Sequence, residues 1–346
     1  RKGVVMLLML LMRSGPGGRA YQAAQLAGPR QTPRMFAETR SFEGAPPPSV
    51  PVDDEGEEGE RIPHEPVPVL ARGATWAVLA KPGGIPCHES DYVGRWRPGV
   101  SQGPPPPAAL LQRGRDTLGQ RINLVHRLDR GASGGVLCSL DEGATSGLQA
   151  ALASEAAVKT YVALVRGSGE MYGEFLRDRG WFTVDRSIKN EKGRVKNATT
   201  EFMFLGGQDE GPSLVSGEVG RARCSLVLAR PKTGRWHQIR RHLNGLNHPI
   251  LGDSSHGSTA TNREWRAARG LRGERLLLHL ARLQLPPPGK SWAARASSGL
   301  PPGGLDVACP LAEDFRELLE TQVDPGVLEE SRGALEEHAG LADLFL

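Results

Sequence analysis

The chain has 346 residues, enough for about two domains at the usual size, or for one large domain with appendages. Its formal charge of +4 is mildly basic, compatible with a polyanionic partner but too small to establish one. The four cysteines form no CxxC pair, which excludes a zinc ribbon, a thioredoxin-type centre and a dense disulfide framework, and suits a reducing compartment.

Residues 4–12, VVMLLMLLM, are apolar and follow Arg1 and Lys2. Nine residues fall well short of the roughly 20 that a membrane-crossing helix needs, so no stable membrane association is expected. The run fits the apolar part of a targeting peptide and equally well translated upstream sequence, since the chain does not begin with Met. The expected location is therefore intracellular, with organelle (plastid or mitochondrion) and cytoplasm both open. Residues 13–68 are rich in Gly and Pro and carry the acidic run DDEGEEGE at 53–60. They hold too little periodic apolar sequence to bury a core, so 1–68 is expected as a disordered extension.

Ordered sequence is expected over 69–322. A strand is predicted over 75–80, followed by the turn-rich KPGGIP at 81–86. Residues 94–119 and 206–220 are expected as insertions, the first a Pro- and Gly-rich surface loop. A helix is predicted over 144–157, where Leu148 and Leu152 are four apart, and alternation predicts strands over 159–165 and 223–228. A second helix is predicted over 233–246. Periodicity leaves 276–285 open between strand and helix, and a last helix is predicted over 311–319, with 323–346 as a tail. Strands separated by isolated helices, with no regular βαβ beat, favour an α+β sheet fold.

Three segments carry residues suited to chemistry. In HRLDRGASG, at 126–134, Asp129 lies between Arg127 and Arg130 beside glycines that allow another backbone to come close. A cationic field favours an ionised carboxylate, available as a nucleophile or base. Taken alone, the segment better fits a turn aspartate in a surface ion pair. In RPKTGRWHQIRRHL, at 230–243, four Arg, one Lys and two His occur within fourteen residues. Basic groups at a helix start suit phosphate, although a solvated basic helix face accounts for the same residues. His237, His242, His248 and His256 are close in sequence, but His237 and His242 are about 140° apart on a helix, unlike the four-residue spacing of a chelating pair, and no metal site is expected. In KTYVALV, at 159–165, Tyr161 offers a ring for stacking and a hydroxyl, in a strand where a tyrosine is ordinarily core.

In chain order, HRLDRGASG, KTYVALV and PKTGRWHQIRRHL resemble the three signature motifs of the RluA-type pseudouridine synthases. HPILGDSSHG at 248–257 followed by Asn262-Arg263, with KPGGI at 81–85, is similar to the tRNA pseudouridine synthase C branch of that family. The resemblance covers about residues 70–320. It implies a mixed, mainly antiparallel sheet with flanking helices and a basic central cleft. It also implies isomerisation of uridine to pseudouridine in RNA, in tRNA first and ribosomal RNA second, without cofactor; no metal is expected, and a monomer is the expected state. A non-catalytic RNA-binding or RNA-folding factor is the rival of another class. By position the resemblance makes Asp129, Tyr161 and Arg240 catalytic, with Arg240 paired to Asp129. Arg127 would enter the RNA stack, and His126, Arg235, His237 and Gln238 would meet substrate. Gly131-Ala132 departs from the family pattern, which has Thr before Ser-Gly.

Overall fold

Alternate side chains of the first long strand enter two different cores, and the rest of the architecture follows from that split. The computed structural model describes residues 65–89, 107–189, 192–211, 220–288 and 299–342. Val69–Arg72 (β1) pairs antiparallel with Trp76–Lys81 (β2). Ala77 and Leu79 of β2 join one apolar cluster and Trp76 and Val78 the other, as a two-residue period requires of a strand covered on both faces. Leu110–Leu118 (α1) leads to the short Asn123–Leu124 (β3) and to Ser133–Ser139 (β4), buried at every position. Glu142–Ala153 (α2) begins where the Asp141 carboxylate accepts from the Gly143 amide at 2.8 Å. It packs Leu148 and Leu152 onto the second cluster.

Val158–Arg166 (β5) is followed by two small hairpins. The first pairs Glu170–Met171 (β6) with Glu174–Phe175 (β7), and the second pairs Ile188–Lys189 (β9) with Val195–Lys196 (β10), with Phe182–Asp185 (β8) between them. Thr199–Gln208 (β11) and Cys224–Pro231 (β12) pair along their length. Gln238–Gly245 (α3), Thr259–Ala268 (α4), Leu278–Leu285 (β13) and Leu305–Ala308 (β14) follow. Glu313–Gln322 (α5) and Pro325–Ala334 (α6) close the order, the latter running into a π-turn over Leu335–Ala339.

The large sheet runs β1-β2-β4-β13-β5-β12-β11-β8, with β14 added to β13 and β3 to β4. Among the described residues only β4 and β13 are parallel, pairing Ser133 with His279. The fold is thus α+β, a mixed and mainly antiparallel sheet with helices on both faces. None of the described helices is long and apolar enough to cross a membrane.

Several expectations need correction. Residues 107–119, expected within a surface insertion, contain α1. Its Leu110 is fully buried, and a Cβ on Gly114 would press on Leu79 and Ile122, so this helix is core. The helix expected from 233 opens only at Gln238. Residues 276–285, left open, are mostly strand. The tail expected from 323 instead holds α6, begun by the Asp324 cap and Pro325 at the first turn, and its Leu328, Leu335 and Ala339 lie in the larger core cluster. Residues 206–208 complete β11 rather than opening an insertion. Residues 1–64, 90–106 and 212–219, and with them the targeting segment, half of the first proposed insertion and just over half of the second, lie outside the described residues.

Candidate active site

The loop between β3 and β4 carries Asp129, and its backbone is held from below. Buried Lys81 donates to the carbonyls of Pro82 and Arg130 at 3.0 Å and of Ala132 at 2.6 Å. Burial pulls this ammonium down to about 8, and three carbonyl acceptors compensate its charge. Arg275, also buried, donates to the Gly131 carbonyl at 2.8 Å and to the Ser133 hydroxyl at 2.7 Å, while its Nε pairs with Asp314. The Leu128 amide meets the Cys87 sulfur at 3.3 Å. Asp129 therefore projects from a loop whose own polar groups are already engaged.

Arg240 enters from α3. Its Nη1 donates to Asp129 Oδ2 at 2.8 Å, while Nε and Nη2 form a two-point pair with Asp253 at 2.8 and 2.7 Å. Burial alone would lower the guanidinium, but its hydrogen bonds to Asp253 and the charges of both aspartates raise it, so it remains a cation. Asp253 has no exposed side chain, and its Oδ1 also accepts from the amides of Ser255 and His256, both at 2.9 Å. Burial would push this carboxyl up, yet Arg240 and these amides hold it below its ordinary value. Asn262 fastens the turn, accepting from the Gly252 amide at 2.9 Å and donating to the Asp253 carbonyl at 2.8 Å.

A cleft of about 1140 Å³ opens over Asp129, with Tyr161, Arg127, Lys232, Arg235 and Trp236 among its lining. Tyr161 projects from β5, and burial together with the nearby Asp129 charge raises its phenol far above the ordinary range. It therefore keeps its proton. Trp236 is 43 % exposed, its indole stacked on the His237 ring at 3.8 Å between centroids. His237, in the left-handed region at φ 52°, directs Nε2 towards Asp129 Oδ1 at 3.9 Å and Nδ1 towards His256 Nε2 at 3.0 Å.

All eight residues singled out in the sequence border this cleft, but two of them are committed to the protein. His126 Nε2 accepts from the Leu137 amide at 3.0 Å, and burial lowers its imidazole to about 4. Gln238 accepts through Oε1 from Thr233 Oγ1 at 2.6 Å and from the Arg235 amide at 3.0 Å. It also donates to the Thr199 carbonyl and Thr200 Oγ1, each at 2.9 Å. With oxygen and nitrogen both engaged, it builds the turn before α3 and has no group left for substrate. Arg235 lies exposed with Nε on the Asn197 carbonyl at 3.0 Å, and Arg127, also exposed, lines the same cleft.

Of the four histidines close in sequence, His237 and His256 meet and the other two turn elsewhere. His242 points into the core between Thr200 Oγ1 and the Arg186 carbonyl, and His248 donates to the Leu246 carbonyl. Among the described residues no three His, Cys, Asp or Glu side chains gather as metal ligands. Sequence reasoning passed over Asp253, Lys81 and Arg275 as parts of the site. For Asp253 a signal existed: one carboxylate leaves most of the arginine's five N–H groups unmatched, and Gly252-Asp253 follows close behind Arg240.

Residues 75–245 match the family model described as RNA pseudouridylate synthase. The chain is 34% identical over 191 residues to tRNA pseudouridine synthase C of Pectobacterium carotovorum subsp. carotovorum, covering 51% of this chain and 46% of that one. It is 36% identical over 179 residues to tRNA pseudouridine synthase C of Yersinia pestis, covering 51% of this chain and 68% of that one. Among solved structures, human RNA Pseudouridylate Synthase Domain Containing 1 aligns over 71% of this chain and 83% of its own, with a TM-score of 0.48 and 20% identity. A buried arginine braced on one carboxylate and offered to another at the floor of a cleft accompanies identity of about a third, over half of this chain, to the two curated synthases, and that identity places this protein in the RNA pseudouridylate synthase family.

Proposed function

We propose that the chain converts a uridine to pseudouridine within tRNA, without metal or cofactor. The carrying observation is the 2.8 Å pair of Asp129 and Arg240, with the second aspartate oxygen facing the cleft environment of Tyr161 and His237. The reaction breaks the bond between ribose C1′ and uracil N1, turns the base, joins C5 to C1′, releases the C5 proton and protonates N1. No electron donor or acceptor is consumed. Arg240 occupies Asp129 Oδ2, so Oδ1 is the oxygen that meets the substrate, whether it attacks the sugar or the ring. Because Tyr161 keeps its proton, its phenol stacks on uracil and hydrogen-bonds as a neutral group before it assists the C5 proton.

A uridine inside a helix is out of reach of Asp129, and turning it out costs a few kcal/mol. Exposed, planar Arg127 has the shape and charge to fill the vacated place. Phosphates suit the exposed Arg186, Lys189 and Lys196 of the β9–β10 hairpin. That hairpin meets α3 where Arg241 Nη1 donates to the Lys189 carbonyl at 2.6 Å. Asp129, Tyr161 and Arg240 come from one chain, so a monomer suffices.

The test is Asp129→Asn assayed on tRNA transcripts. Pseudouridine formation should fall at least about a thousandfold while RNA affinity stays within about threefold, as expected when a group acts in chemistry and not in binding. Turnover by the variant would defeat the assignment. Modification confined to ribosomal RNA would change the substrate and keep the reaction, whereas RNA binding by a wild-type chain that modifies nothing would favour the non-catalytic factor.

A further inference from the structure

His256 lies nineteen residues beyond His237 in the sequence, yet its ring meets His237 inside the cleft wall. Their nitrogens are 3.0 Å apart, with the rings edge-on at 81°. Two ring nitrogens at that distance share one proton, so one imidazole donates and the other accepts. Burial lowers His237 to about 4 and His256 below its ordinary value, so both rings are neutral near pH 7. The charged groups facing the pair are Asp129, Asp253, Arg240 and Arg241.

Two proton arrangements satisfy the contact, and they differ at Asp129. If His237 donated from Nδ1, its Nε2 would turn a lone pair towards the Asp129 carboxylate. Two acceptors would then face one another at 3.9 Å. If His256 donates from Nε2, His237 accepts at Nδ1 and carries its proton on Nε2, with the N–H directed at the carboxylate. Electrostatics selects the second arrangement. The Trp236 ring lies nearly parallel on His237, at 22°, and opposes rotation of the imidazole. At 3.9 Å the N–H is not consumed by a direct bond to Asp129, so space remains for an acceptor oxygen of the nucleoside to come between.

We propose that His256 is a positioning residue: by donating to Nδ1 of His237 it fixes the tautomer that presents His237 Nε2–H beside Oδ1 of Asp129, the oxygen that Arg240 leaves free. This rests on the isomerase reading and deepens it, giving the cleft a neutral donor opposite Arg240. His256 acts through His237 and touches no reacting atom itself.

The experiment compares His256→Leu, which has no donor, with His256→Gln, whose amide nitrogen falls close to the imidazole Nε2. Full-length protein and a tRNA transcript modified by the wild type are used. Leu should lower kcat about tenfold to a hundredfold with KM within about threefold, the usual effect of losing an orienting partner, and Gln should recover most of that loss. Nitrogen-15 NMR of labelled histidine should report His237 as the Nε2–H tautomer in the wild type and a mixture in the Leu variant. Equal losses in both variants, no loss in Leu, or an Nδ1–H His237 in the wild type would each overturn the proposal. A wild-type chain inactive on every RNA would sink the isomerase reading instead, while the NMR tautomer would still decide the role of His256.

Discussion

Arg240 divides one guanidinium between two carboxylates with different freedom. Asp253 is wholly enclosed and cannot turn away, whereas the Asp129 side chain is 31 % exposed and faces the cleft. The enclosed partner therefore fixes the plane of the guanidinium, and the exposed one receives a donor already aimed at it. Asp253→Asn removes the bracing charge and leaves a buried cation half-paired. Loss of one member of a buried pair costs about 3–5 kcal/mol, so urea unfolding should show a drop of that order and pseudouridine yield should fall with it. Unchanged stability would mean that Arg240 is held by something other than Asp253. The sequence made Asp129, Tyr161 and Arg240 legible because each sits in a motif of distinctive chemistry. The commitments of His126 and Gln238 were not legible, since an amide or imidazole looks the same in a string whether it faces substrate or a backbone turn. Only the three-dimensional donor count separates the two.

At the scale of elements, the site depends on turns that the string describes poorly. The helix expected from 233 begins at Gln238 because the five preceding residues wrap around the Gln238 amide, with Thr233 and Arg235 both donating to it. Helical spacing of Ile239 and Leu243 was readable, but the turn before them was not, as its hydrogen bonds converge on the Gln238 side chain. Strand β13 was ambiguous for another reason. Its polar residues His279, Arg282 and Gln284 are three and then two apart, because the register shifts between Leu280 and Arg282, so no single alternation runs through it. Helix α6 escaped notice although Asp324-Pro325 announces a start. The most demanding turn is at Gly252, with φ 86°, where a Cβ would collide with the Arg275 carbonyl. Gly252→Ala should therefore destabilise by more than about 2 kcal/mol, strain and collision together. It should also weaken the Asp253 clamp, read as a lowered thermal midpoint with reduced turnover. A variant as stable as the parent would show that the turn relaxes without harm.

For the molecule as a whole, the pH dependence of stability is set by imidazoles buried without charge. His279, 1 % exposed, donates from Nε2 to the Cys309 carbonyl at 3.1 Å and accepts at Nδ1 from Ser133 Oγ at 2.8 Å, joining β4, β13 and the segment after β14. Burial lowers it to about 4. An unfolded histidine takes up a proton near pH 6.5, whereas the folded one resists until about 4. Its contribution is thus complete above pH 6.5 and is given up as pH falls towards 4, roughly 3 kcal/mol over that window. Denaturation midpoints measured from pH 7 to pH 4 should decline accordingly, and His279→Gln should flatten the decline. A slope unaltered by that substitution would assign the effect to other groups, such as His126.

The four thiols supply a different kind of consequence. Cys87, Cys138, Cys224 and Cys309 are all enclosed, and burial pushes the last three up to about 12. Since only the thiolate attacks an alkylating reagent, the native molecule is chemically silent. Covalent labelling then becomes a clock. A tag at Cys138 times the release of β4, one at Cys224 the release of β12, and one at Cys309 the peeling of the chain just past β14, with every labelled molecule recording that it has first come apart.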